Sequence, residues 1–314
     1  MKRVLLVLAV VVATVVGCAP GAAPTPQPDT PTSTPAAPFV QPTPSYSVEV
    51  TKDIEYLRLL APDAPVQKID LYAPTEPGPW PVVVLQHGWY QSKETPMYLS
   101  FAEELSGRGV VVFVADRRSP CSTLSECVED DGMDLREVQE SWACAVRFAR
   151  ENAADYGGDA EWLTVYGDES SGLESAFMGD DLRQAWDAVA SNRGGPPAQT
   201  ECLATEGSAH VDAFIAYGGN HRYYQNLTES DPDLWALTSP FGLIGRNPSL
   251  VVRLIHGGMG NPTNIQRAEE LQEELLNAGY DAYQMLLGEA RWRIPASGPD
   301  REELIQLILE EALP

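Results

Sequence analysis

The chain has 314 residues and a formal charge of −24 at pH 7, from 21 Lys and Arg against 45 Asp and Glu. So acidic a surface repels nucleic acid and anionic lipid headgroups, which excludes nucleic acid as a partner and disfavours polyanionic substrates. In chain order, Lys2 and Arg3 precede an apolar-to-small run, residues 4–16, and the leader then closes on Val15-Val16-Gly17-Cys18. A helix of that length rises roughly 20 Å at ~1.5 Å per residue, short of the ~30 Å bilayer core, so the run has the build of a signal-peptide core. Residues 19–45 are rich in Pro and Thr, and Phe39 and Val40 are their only adjacent bulky apolar pair. Such a segment buries too little surface to offset chain entropy and reads as an extended stalk. The organisation expected is a leader over 1–17, an anchor cysteine and stalk over 18–45, and one domain over 46–314.

The end of the leader resembles the lipobox of bacterial lipoproteins. That resemblance implies lipid on Cys18 and a protein held to a bacterial cell membrane outside the cytoplasm. Four further cysteines, Cys121, Cys127, Cys144 and Cys202, then form an even set in an oxidising compartment and read as two disulfides, with three connectivities open. Cys121 and Cys127 flank one short loop, so Cys121–Cys127 with Cys144–Cys202 is the favoured pairing. No pair has C-x-x-C spacing and no two histidines stand at i, i+4, so neither redox chemistry nor a metal site is expected, and no cofactor is called for.

Within the domain, short apolar β-branched runs at 67–72, 81–86, 110–115, 162–166, 211–217, 250–256 and 281–287 alternate with helical patterns at 97–108, 134–155, 171–178, 263–278 and 300–313. Near-continuous hydrophobic runs are how buried parallel strands read. In 263–278, Ile265, Ala268, Leu271, Leu275 and Ala278 keep helical spacing, with Pro262 near the start and Gly279 just past the end. The alternation predicts an α/β fold with a mainly parallel central sheet and helices on both faces. Chemistry in such sheets collects at the carboxyl ends of the strands.

Those ends read His87-Gly88-Trp89, Asp116-Arg117-Arg118, Gly167-Asp168-Glu169-Ser170-Ser171-Gly172, His256-Gly257-Gly258 and Gly288-Glu289-Ala290-Arg291-Trp292, with Arg147 to Asp159 leading into the third. This order resembles the α/β-hydrolase superfamily, especially bacterial esterases of the dienelactone-hydrolase and feruloyl-esterase type, over roughly residues 67–313. The resemblance implies an α/β-hydrolase-like fold and an oxyanion hole helped by the His-Gly turn. It further implies a nucleophile at a strained strand-to-helix elbow, then an acid, then a histidine last in the chain. The elbow needs small residues two before and two after its tip. Glu169 at the tip places Gly167 and Ser171 there, whereas Ser170 places Asp168 and Gly172, so Glu169 is favoured over Ser170. The acid position falls on Gly260 or Asn261, and the histidine position on Arg291.

The chain's four histidines are His87, His210, His221 and His256, and none follows His256. Arginine, with a pKa above ~12, cannot take a serine's proton. No standard Ser-His-Asp triad can be assembled. The leading expectation is therefore a degenerate hydrolase domain that binds a ligand or partner. His87, Gly88, Trp89, Tyr90 and the Tyr223-Tyr224 pair would ring a pocket suited to a small apolar or carbohydrate-like ligand. The alternative is an active carboxylic-ester hydrolase with an atypical site, using Glu169 or Ser170 with His221. A complementary Glu169–Arg291 pair is a further expectation.

Overall fold

Burial alternates along the central strands in a way that assigns each residue to one of two cores. The computed structural model describes residues 45–60, 66–89, 91–117, 133–169, 172–193, 199–219, 221, 231–288, 290 and 293–313. Its strands are β1 (Val48–Leu59), β2 (Gln67–Pro74), β3 (Trp80–Gln86), β4 (Val111–Ala115), β5 (Gly158–Asp168), β6 (Thr200–Cys202), β7 (Ala213–Tyr217), β8 (Val251–Gly257) and β9 (Ala282–Leu287). Its helices are α1 (Pro96–Gly107), α2 (Met133–Asn152), α3 (Leu173–Met178), α4 (Leu182–Arg193), α5 (Pro232–Thr238), α6 (Pro240–Leu243), α7 (Pro262–Asn277) and α8 (Pro299–Glu311).

The strands form one sheet in the order β6-β1-β2-β4-β3-β5-β7-β8-β9. From β4 to β9 every pairing is parallel, while β2 meets β4, β1 meets β2 and β6 meets β1 antiparallel. Val82, Val84, Val111, Phe113 and Val165 point to one core, shared with α2 and α7. Val83, Leu85, Val112, Val114 and Tyr166 point to the other, shared with α1 and α8. This two-residue period is what a strand covered on both faces produces, and helices accordingly lie on both sides.

All seven strands anticipated from the sequence are present, and two more were not anticipated. β1 escaped because Glu49, Lys52, Asp53 and Glu55 break its apolar pattern. Its register also shifts between Thr51 and Ile54, where Asp53 adopts φ 59°. β6 is only three residues long. The helical pattern read over 134–155 ends at Asn152; Ala153–Tyr156 tightens into a 3₁₀ turn closed by Gly157 at φ 75°. α7 begins as expected, with Pro262 in its first turn and the Asn261 side chain accepting the Thr263 N–H at 2.9 Å. Cys144 and Cys202 are joined in a disulfide that fastens α2 to β6. Cys121 and Cys127 lie outside the described residues, as do Cys18, the leader and nearly all of the stalk.

The described chain begins at the amino ends of the parallel strands. The Tyr46 N–H donates to the Gly107 carbonyl at 2.8 Å, and the Tyr46 ring packs on Trp80, the first residue of β3, with centroids 4.8 Å apart. Among the described residues no helix is long and apolar enough to cross a membrane.

Candidate active-site crevice

At the carboxyl end of β3 the chain turns through His87, Gly88 and Trp89. His87 is fully buried against Trp142, with ring centroids 5.5 Å apart. Its Nδ1 lies 2.9 Å from the Gly88 carbonyl, and its Nε2 lies 3.2 Å from the Arg117 amide and 3.1 Å from Asp116 Oδ1. Burial depresses its pKa, against the pull of Asp116. His87 thus ties the end of β3 to the end of β4. Arg117, buried in the next turn, holds its guanidinium 4.3 Å over the Trp89 ring and 5.7 Å from that of Trp142. These are cation–π distances, and they fix a positive charge beside the turn.

At the carboxyl end of β5 the chain makes an abrupt strand-to-helix turn. Glu169 takes φ 55°, a left-handed conformation that side chains larger than glycine seldom adopt, and Gly172 takes φ 88° before α3 starts at Leu173. Gly172 is required there, because a Cβ would sit 1.7 Å from Gln86 Oε1. The Glu169 side chain crosses to the β3 turn, where Oε2 accepts the Trp89 N–H at 2.7 Å. A Cβ on residue 88 would lie only 2.8 Å from that oxygen, so Gly88 leaves room for the carboxylate. Burial raises the Glu169 pKa, while the Trp89 N–H and then the charges of Arg117 and Arg293 pull it back. Its neighbour Asp168 is fully buried, accepts the Tyr98 hydroxyl, and is pushed up to about 7, chiefly by desolvation. Tyr98 also accepts the Gly88 N–H at 3.0 Å, so α1 braces both turns.

The remaining strand ends carry histidines. His221, beyond β7, meets His256, at the end of β8, edge to face with ring centroids 6.0 Å apart. Both are buried. Desolvation, then the His256 charge, lowers His221 to about 3, and desolvation lowers His256 to about 4. Both rings are therefore neutral at pH 7 and weak as bases. Gly260 turns the chain with its N–H on the Gly257 carbonyl at 2.8 Å, and Asn261 caps α7. Ser170, Arg291, Tyr90, Tyr223 and Tyr224 lie outside the described residues. Sequence reasoning passed over Arg117, Asp168, Tyr98 and Arg293. The first two stand at strand ends and carried a positional signal, whereas Tyr98, in the first turn of α1, carried none.

A second polar cluster lies near β1 and β2. Lys93, 2 % exposed, places Nζ 2.8 Å from Asp70 Oδ1, 3.1 Å from Asp53 Oδ1 and 2.5 Å from Glu94 Oε1. The three carboxylates offer oxygens within 4.8 Å of one another, a spacing that suits a metal ion, and here the lysine ammonium is their common partner.

No protein-family model matches the sequence, and no curated protein matches it. Solved structures do. A propionate-bound thermophilic esterase from the Planctomycetes species Thermogutta terrifontis superposes with a TM-score of 0.57 at 19% identity, covering 87% of this chain and 95% of that one. Esterase B from Lactobacillus rhamnosis gives a TM-score of 0.58 at 13% identity, covering 84% and 85%. The domain has an α/β-hydrolase-like fold. A bifunctional GH43-CE protein of Bacteroides eggerthii is similar at 20% identity and a TM-score of 0.58, over 84% of this chain and 38% of that one.

Proposed function

We propose that this protein is an exported lipoprotein, anchored outside the cytoplasm by lipid on Cys18, whose α/β-hydrolase-like domain binds a small apolar or carbohydrate-like ligand or a partner and no longer performs serine-hydrolase chemistry. One observation carries the loss of chemistry. The tight turn after β5, where this fold presents its nucleophile, has Glu169 at φ 55°. The Glu169 carboxylate occupies the Trp89 N–H, a donor placed to stabilise an oxyanion. The sequence adds that no histidine follows His256, so the base that normally comes last is missing. His221 and His256, both buried, are poor bases at neutral pH.

The likeness to solved esterases favours a second reading, an ester hydrolase with an atypical site built on Glu169 or Ser170 and His221. One assay separates the two: turnover of p-nitrophenyl acetate and butyrate by the full chain beside Glu169→Ala, Ser170→Ala and His221→Ala. The non-catalytic reading expects no turnover above background in any of them. Turnover in the parent that one variant loses overturns it and identifies the site. Anchoring is tested separately by metabolic labelling with radioactive palmitate, which Cys18→Ala should abolish.

A further inference from the structure

We propose that the crevice at the end of β5 is a carboxylate-binding site whose resident occupant is the protein's own Glu169, and that an external short-chain monocarboxylate takes the same place once that side chain is gone. The proposal rests on the non-catalytic reading above. Three features make the crevice a site for an anion rather than a gap that Glu169 happens to fill. The Trp89 N–H is aimed at one carboxylate oxygen, 2.7 Å away. Two guanidinium groups, Arg117 and Arg293, act on the same carboxylate. Arg117 is set by its ring contacts with Trp89 and Trp142, so its charge stays in place without Glu169. Finally, the loop is contoured to the ligand, since only the missing Cβ of Gly88 lets the oxygen approach.

The occupant is tethered in an uncomfortable backbone conformation. A non-glycine residue at φ 55° is strained, and the carboxylate contacts must offset that strain. Cutting the tether should therefore free the site without unfolding it. Glu169→Gly does this, because glycine accepts positive φ without strain. The atoms it removes, two methylenes and a carboxylate, match propionate in size and charge. Propionate is accordingly the probe, and a neutral amide of the same shape is its control.

The experiment is calorimetric titration of propionate and propionamide into the full chain, its Glu169→Gly variant and its Glu169→Gln variant, with circular dichroism melts to establish folding. Glu169→Ala replaces the glycine variant should that one not fold. The expected result is propionate binding to Glu169→Gly with a Kd of about 1 mM, the range open to a ligand of five heavy atoms. Binding should be at least ~10-fold weaker to the parent and to Glu169→Gln, where the site is filled, and propionamide should also bind at least ~10-fold more weakly than propionate. A folded Glu169→Gly that ignores propionate overturns the proposal, as does equal binding by the parent or equal binding of the amide. Ester turnover measured on the same preparations separates the claims. Parent turnover abolished by Glu169→Gly overturns both this proposal and the non-catalytic reading, whereas absent binding without turnover overturns the proposal alone.

Discussion

Two groups of carboxylates in this domain meet opposite electrostatic environments. Around Lys93, Asp53, Asp70 and Glu94 share one buried ammonium. The ammonium holds the Asp53 carboxyl below its ordinary pKa, through the hydrogen bond first and the charge second. At the end of β5, Asp168 and Glu169 are adjacent in sequence, and desolvation pushes both of their pKa values up. Among the described residues, the difference is a cation in direct contact. The Lys93 group is a completed ion cluster, whose charges are compensated where they are buried. The β5 group keeps two acids close together with backbone and hydroxyl donors and more distant arginines. Among the described residues neither acid has a cation in contact, and strong pKa perturbation of that kind is the pattern of a site rather than of a brace.

Removing the ammonium should cost the domain most. Lys93→Met leaves the fully buried Asp70 beside two further carboxylates and should cost about 3–5 kcal/mol, read as a fall in the chemical-denaturation midpoint. A loss below ~1 kcal/mol would mean that the cluster holds nothing together. Next in size is Asp168→Asn. Asp168 is raised from 3.8 to about 7 in the folded protein, so the native state binds the extra proton between those values. Its contribution to stability is complete below pH 3.8 and is lost as pH rises to about 7. The asparagine variant has no such loss and should gain on the parent, by on the order of 2 kcal/mol, between pH 4 and pH 8. Parallel stability curves across that range would contradict the shift.

Smaller effects sharpen the contrast. Glu169→Gly relieves the positive φ but gives up a hydrogen bond, and these opposing contributions should leave stability within ~1 kcal/mol of the parent in thermal melts. Glu94 is an outer member of the Lys93 cluster, with more than half of its side chain exposed, as is that of Asp53. Glu94→Gln should change stability by less than ~0.5 kcal/mol, since exposed ion pairs are screened by solvent.

Much of the frame was legible in the sequence because its physics is local. The parallel strands β3, β4, β5, β7 and β8 are short apolar runs that need burial on both faces, and each was readable where it stands. β1 was not, because one of its faces meets water and its charged residues hide the period. α4 was missed although Leu182, Trp186 and Ala190 recur at helical spacing and are buried. The crevice divides the same way. Small residues around Glu169 signalled a tight turn, since crowding there is a property of neighbouring residues. The hydrogen bond from Trp89, the placing of Arg117 between two tryptophans and the bracing by Tyr98 join residues 80, 25 and 70 positions apart. Nothing in the local pattern announces such partners. They follow from strand order, which the sequence does not spell out.

The seat of Tyr46 gives the molecule a front and a back. Tyr46 leans on Trp80 at the amino end of β3, whereas Glu169 meets Trp89 beyond the carboxyl end of the same strand. β3 alone spans roughly 20 Å at ~3.3 Å per residue, so the first described residues and the crevice lie at opposite poles of the sheet. On the proposed lipid tether, tension arriving along the stalk would be taken up at the rear pole, by the Tyr46 ring and its bond to Gly107.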